Sequence, residues 1–161
     1  LIVRTMPNTP ALIGAGITGA AALAGVSSEQ RALAGQILAA VGQVIWFDDE
    51  SRLDPVTAIS GSGPAYVFYF IEALQDAALD MGFSATAARA LAVETFAGAA
   101  QLARQSDEPV SVLRERVTSK GGTTAAALAR LNQHDVRSRI VEAARAARDR
   151  AAELGKQFDV D

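Results

Sequence analysis

Ser119-Lys120-Gly121-Gly122-Thr123-Thr124 is the stretch of this chain best equipped for chemistry. Its adjacent glycines let the backbone come close to a ligand, and the apolar run from Ala125 to Leu131 predicts a helix just behind them. The first N–H groups of a helix have no partner within it and carry a partial positive charge, which suits a carboxylate or a phosphate. The hydroxyls of Ser119, Thr123 and Thr124 gather at the same place. The same residues also read as an ordinary glycine turn closed by a threonine cap, and spacing alone favours that plainer reading.

A second candidate is weaker. Gly14-Ala15-Gly16-Ile17-Thr18-Gly19 spells G-x-G-x-x-G, a pattern that cradles a pyrophosphate only between a strand and a long helix. Small residues and Gly25 follow it, and Ala39 stands where an acid is required, so the match is read as a decoy. The chain has no cysteine and a single histidine, His134, which leaves no thiolate chemistry and no histidine-based metal site. No metal is expected. The final helix carries Arg137, Arg139, Arg145, Arg148 and Arg150 among Asp135, Glu142, Asp149 and Glu153, with pairings such as Glu142/Arg145 and Arg145/Asp149 in reach. That is a solvated, self-neutralised face, and no nucleic-acid partner is expected. His134 reads as a loop residue and Trp46 as core.

The elements that position these groups follow from periodicity. Leu1 to Val3 reads as a short buried strand, broken by Met6-Pro7-Asn8-Thr9-Pro10. Ala11 to Gly25 is read as extended. Ser27 with Gln30 forms a capping box before a helix from Glu29 to Ala40, and Val41 to Phe47 is a strand. From Asp54 the pattern is helical, with Asp54 as capping acid before Pro55. Ser60-Gly61-Ser62-Gly63-Pro64 reads as an interruption. Ala65 to Met81 is then a long helix, polar only along Glu72, Gln75, Asp76 and Asp80. Its remaining surface is apolar and has to be covered on several sides, which an intertwined dimer does well. Further helices start at Ser84, Pro109, Thr123 or Thr124, and Asp135.

The 161 residues carry a formal net charge of −3, and half of them are hydrophobic, so an ordered globular protein is expected. Abundant alanine leans toward packed helices. No apolar stretch reaches the roughly 18 residues of a membrane span, and a cytoplasmic protein without a membrane partner is expected. The opening Leu1-Ile2-Val3 reads like the middle of a protein, so further N-terminal sequence is expected.

Three segments together resemble pyrroline-5-carboxylate reductases. They are Arg4 to Pro10, Ile59 to Tyr66, and Val117 to Thr124, and the likeness runs from about residue 1 to 155. The last is the family's signature, here with Lys120 in place of the usual proline. The stretch before Val136-Arg137 lacks the glycine often found there. The resemblance implies a mostly α chain: a helical dimerisation domain like the C-terminal domain of 6-phosphogluconate dehydrogenases, preceded by the α/β tail of a Rossmann domain. Residues 1–50 would be that nucleotide-domain remnant and residues 51–161 the helical, substrate-binding part.

By the same resemblance the reaction is reduction of 1-pyrroline-5-carboxylate to L-proline, with NADPH or NADH as hydride donor. Ser119, Gly121, Gly122 and Thr123 would bind the substrate, its carboxylate lying against Ser119 and the backbone N–H groups of Gly122 and Thr123. Thr124 would be the catalytic residue, hydrogen-bonded to the ring nitrogen. Met6, Asn8 and Thr9 would lie near the nicotinamide. A homodimer is implied, and such dimers can assemble into decamers. Without the dinucleotide fingerprint the isolated chain is expected to be inactive. Two rival readings remain: a related imine or hydroxyacid dehydrogenase, and a non-catalytic dimerisation or ligand-binding module. The first is disfavoured because only Lys120 and Lys156 occur, neither at the start of the helical part.

Overall fold

The fold is known from a computed structural model that describes residues 1–158. The helical part expected to reach residue 161 thus includes residues 159–161, which lie outside the described residues. Backbone contacts divide the chain into two compact units, one built from residues 1–66 and the end of the chain from residue 141, the other from residues 67–140.

The first unit holds a three-stranded sheet in the order β1 (Val3–Met6), β2 (Gly16–Ala22), β3 (Gly42–Phe47). Strands β1 and β2 are antiparallel, while β2 and β3 are parallel and joined by α1 (Ser28–Ala39). Parallel neighbours need such a crossover, so β2-α1-β3 is a βαβ unit. The run Gly14 to Gly19 enters the central strand and no helix follows it directly, as its reading as a decoy requires. Strand β2 consists of glycine, alanine, threonine and isoleucine because its neighbours come very close. A methyl at Gly19 would lie 2.8 Å from a methyl of Val56, and one at Gly16 the same distance from Ala11 Cβ. Thr18, Ala20 and Ala21 are buried.

Helix α1 begins as its sequence dictates. Gln30 N–H donates to Ser27 Oγ at 3.3 Å, and Ser27 N–H donates to the Gln30 side chain at 2.9 Å. Trp46 is only half-buried: its indole lies on Gly35, with the Arg31 guanidinium 4.7 Å from the ring centre. The first strand departs from expectation. It runs over Val3–Met6 instead of Leu1 to Val3, and Leu1 and Ile2 stand 80% and 57% exposed. The ladder with β2 decides this, since Val3 pairs with Ala22 at the far end of that strand and Met6 with Gly19.

The helical entry also departs from the sequence reading. Asp49, not Asp54, is the capping acid: its carboxylate accepts from Ser51 N–H at 2.8 Å and from Ser51 Oγ at 2.6 Å, starting a 3-10 turn, Glu50–Arg52. Asp54 lies inside α2 (Leu53–Val56), whose Leu53 is buried. The Ser60–Pro64 stretch does not interrupt the chain. Thr57–Gly61 forms a π-helical turn, and α3 (Gly63–Asp80) continues from it. Glycine and serine weaken a helix at this stretch, but hydroxyl bonds to the backbone hold the turn in helical form.

The second unit takes in most of α3 together with α4 (Ala85–Gln105), α5 (Val110–Arg116) and α6 (Thr123–Gln133). Ser84 Oγ accepts from Ala87 N–H and caps α4. Ala88 and Ala92, one turn apart, are buried, and Phe70 stacks on Phe96 at 6.5 Å. The apolar surface of α3 foreseen from its pattern remains open in the single chain, with Val67, Phe68 and Tyr69 42%, 60% and 70% exposed. His134 closes α6. Helix α7 (Val136–Phe158) has a charged, solvated face, with Arg148 on Asp149 at 2.6 Å and Arg150 on Glu153 at 2.8 Å. Asp149 thus pairs with its neighbour Arg148 instead of Arg145.

Candidate functional site

Helix α5 ends at Arg116, and Thr118 fastens the exit by donating from Oγ1 to Arg114 O at 2.6 Å. The chain then turns through Ser119 to Gly122, with Gly122 N–H donating to Ser119 O at 3.1 Å. Gly121 takes a left-handed conformation, φ 73°, which side chains disfavour. Gly122 is extended, φ −80° and ψ 176°, and sits so close to Ser119 that a methyl there would collide with Ser119 Oγ. The glycines are therefore required for different reasons. The first makes the turn and the second makes room for the serine hydroxyl.

Helix α6 starts at Thr123 without a side-chain cap, so the plainer reading of a threonine-capped turn is not what forms. Ala126 N–H is the first to find a turn partner, Gly122 O at 3.1 Å. Among the described residues, the N–H groups of Thr123, Thr124 and Ala125 and the hydroxyls of Ser119, Thr123 and Thr124 have no hydrogen-bond acceptor. Ser119, Thr123 and Lys120 are exposed, and Thr124 is half-buried. A helix start that presents open donors beside free hydroxyls can take a carboxylate and one further polar atom of the same ligand. The N–H of Gly122 is engaged within the turn, so Thr123 and Thr124 supply the open backbone donors.

Met6, Asn8 and Thr9 lie together in the first unit, in the connection from β1 into a 3-10 turn, Thr9–Ile13. Asn8 Oδ1 accepts from Ile17 N–H at 3.0 Å, which ties this loop to the central strand and leaves the amide N–H groups of Asn8 free to donate. Met6 packs its methyl against Gly61 of the π-helical turn. Free amide donors and the exposed Thr9 hydroxyl fit the carboxamide end of a nicotinamide. Among the described residues the glycine run that spells the fingerprint leads into strand β2 and not into a helix, so it offers no helix start to a pyrophosphate.

Sequence reading missed the hydroxyl bonds that build the π-helical turn: Thr57 Oγ1 to Leu53 O at 2.8 Å, Ser60 Oγ to Val56 O at 3.1 Å, and Tyr66 OH to Ala58 O at 3.0 Å. A signal existed for the first two, because serine or threonine four residues after a helical position can bond back to it. Among the described residues no cluster of histidine, cysteine or carboxylate side chains could hold a metal, and no helix is long and apolar enough to cross a membrane.

A βαβ unit and a set of helices, one of which begins with open N–H donors beside free hydroxyls, are the features that the comparisons have to account for. The profile of the pyrroline-5-carboxylate reductase dimerisation family matches residues 50–154, and the chain belongs to that family. A pyrroline-5-carboxylate reductase of Pseudomonas aeruginosa is 46% identical over 157 residues, 98% of this chain and 58% of the relative. One from Synechocystis is also 46% identical, over 97% of this chain and 58% of its own. A solved pyrroline-5-carboxylate reductase from Coxiella burnetii superposes with a TM-score of 0.92 at 44% identity, covering 95% of this chain and 57% of that one. The Plasmodium falciparum pyrroline carboxylate reductase, solved with NADP bound, gives 0.89 at 34% identity over 96% and 63%. The chain thus spans little more than half the length of the relatives it matches.

Proposed function

We propose that this chain is the substrate-binding, dimer-forming part of an enzyme that reduces 1-pyrroline-5-carboxylate to L-proline, the last step of proline biosynthesis. The open start of α6 beside the unbonded Ser119 and Thr124 hydroxyls carries this reading. Ser119 Oγ and the N–H groups at Gly122 and Thr123 hold the substrate carboxylate, with Gly122 sharing its N–H between Ser119 O and the ligand. Thr124 Oγ1 bonds the ring nitrogen and orients the imine; as a weak acid it relays a proton from water. Met6, Asn8 and Thr9 line the nicotinamide of NADPH or NADH, which supplies the hydride when bound. The NADP in the Plasmodium falciparum reductase supports that choice of nucleotide.

The partner is a second copy of this chain. Support comes from the family's description and from the exposed Phe68 and Tyr69 on a helix whose polar residues form only a narrow stripe. Residues 1–50 serve as the end of a nucleotide domain and the helical part begins near Ser51, a reading supported by the family match from residue 50. The helical part follows the architecture of the C-terminal domain of 6-phosphogluconate dehydrogenases, its dimers join into decamers, and the protein works in the cytoplasm.

The test is NADPH oxidation with 1-pyrroline-5-carboxylate. It is run on the chain alone and on the chain fused behind the nucleotide-binding domain of a pyrroline-5-carboxylate reductase such as the Pseudomonas aeruginosa relative, of which this chain spans 58%. The chain alone should be inactive and the fusion active. A folded fusion that binds NADPH and leaves the imine unreduced would overturn the enzyme reading in favour of a non-catalytic module.

A further inference from the structure

The π-helical turn Thr57–Gly61 is an unusual piece of backbone, and such turns concentrate at functional sites. In an α-helix Ser62 N–H would donate to Ala58 O. Here it donates to Thr57 O at 2.8 Å, which strips the Ala58 carbonyl of its helical partner. Ala58 is buried, 2% exposed, so its carbonyl cannot turn to water instead. Tyr66, a full two turns further on, supplies the missing donor through its hydroxyl at 3.0 Å. Tyr66 itself is the fourth residue of α3, beyond the point where the π-helical turn has passed back into it.

What the turn holds in place is visible at its last residue. Gly61 lies against the end of the Met6 side chain, and a methyl at Gly61 would be 2.6 Å from Met6 Cε. Met6 closes β1 and leads through Pro7 into Asn8, whose side chain is fixed on Ile17 N–H. The Met6–Thr9 loop therefore has two anchors, one on the sheet and one on the π-helical turn. All of these residues belong to the first unit.

We propose that Tyr66 is a positioning residue whose hydroxyl, through the π-helical turn and its seat for Met6, sets the loop that receives the nicotinamide. This rests on the reading of Met6, Asn8 and Thr9 as the nicotinamide loop, and the test separates the two.

The chain has only two methionines, Met6 and Met81, so 13C-methyl labelling gives one reporter at the loop and one internal reference in the other unit. Spectra are recorded for the fusion described above, with 13C-methyl methionine only in its 161-residue part, and for its Tyr66→Phe and Gly61→Ala variants, each free and titrated with NADPH. In the wild type, NADPH should move the Met6 signal and leave Met81 in place. In free Tyr66→Phe the Met6 signal should already be displaced, and NADPH affinity should fall about 3- to 10-fold, the reach of one hydrogen bond. Gly61→Ala pushes on Met6 directly and should reproduce both effects with Tyr66 intact. The Met81 signal reports whether each variant is folded. In a fusion saturated with NADPH, a wild-type Met6 signal that does not move overturns the nicotinamide-loop reading and the proposal with it. A Met6 signal that responds in the wild type but is the same in free Tyr66→Phe overturns the positioning role alone. So does an affinity kept within about twofold in a variant whose Met6 has moved.

Discussion

Alanine at Gly121 and alanine at Gly122 should fail in different ways, although the residues are adjacent and identical. At Gly121 nothing lies within 4 Å of an added methyl, so the only cost is backbone strain at φ 73°. Left-handed geometry costs an ordinary residue about 1–2 kcal/mol, and the stiffer unfolded chain returns about 0.4–1 kcal/mol of that. Gly121→Ala should therefore lose roughly 1 kcal/mol in urea denaturation. At Gly122 the backbone suits any residue, but the methyl collides with Ser119 Oγ. Ser119 is exposed and its hydroxyl can rotate away, so stability should change by less than about 0.5 kcal/mol. The substrate carboxylate then loses a charge-assisted hydrogen bond worth about 1.5–3 kcal/mol, and KM for the imine should rise about 10- to 150-fold in the active fusion. The assignment fails if Gly122→Ala keeps its KM, or if it is the less stable of the two variants.

Thr124→Ala should lower kcat by about 10²–10⁴-fold in the same fusion, and a loss smaller than about threefold would remove Thr124 from the proton path. Phe68→Glu puts a charge in the open apolar face of α3, and sedimentation should show the wild type as a dimer and the variant as a monomer; a variant that is still a dimer would place the interface elsewhere. The Ser51 hydroxyl and then its N–H hold the Asp49 carboxyl below its ordinary value of 3.8. A depressed acid stabilises the fold above that value and loses its contribution as pH falls through the lowered one. The stability gap between wild type and Asp49→Asn should thus shrink from about pH 6 to about pH 3, and a gap independent of pH would contradict the cap. Asp135 has φ 51°, so Asp135→Gly should gain up to about 1 kcal/mol in urea denaturation once the added freedom of the unfolded chain is offset, and a loss of more than about 1 kcal/mol would contradict strain at this position.

Much of the architecture was legible because its signals are local. The Ser27/Gln30 capping box, the Ser84 cap and the apolar pattern of α3 each lie within a few residues, and each formed nearly where expected. The first strand was misplaced because its limits are set by β2, more than ten residues away, and not by its own hydrophobicity. Asp54-Pro55 looked like a helix start for a similar reason. A capping acid is recognised by the residue that follows it, and Asp49 with Ser51 offered a competing start earlier in the chain.

The candidate site was legible in its residues but not in its division of labour. From sequence, Gly121 and Gly122 are one feature; only dihedral angles and the position of Ser119 Oγ separate a turn-maker from a space-maker. The π-helical turn was less legible still. Serine, glycine and proline together signal a break because each weakens an α-helix, and that inference holds when their side chains face water. Here Thr57 and Ser60 return their hydroxyls to carbonyls four residues back, and Tyr66 reaches across eight to Ala58. The residues that should end the helix are thereby enlisted in widening it. A sequence reading that scores positions singly cannot see this, because the stabilising partner of Ala58 lies beyond the apparent break. Tyr66 reaches back across Ser60-Gly61-Ser62-Gly63-Pro64 to Ala58, so the π-helical turn shows in the sequence only when positions on both sides of the break are read as a pair.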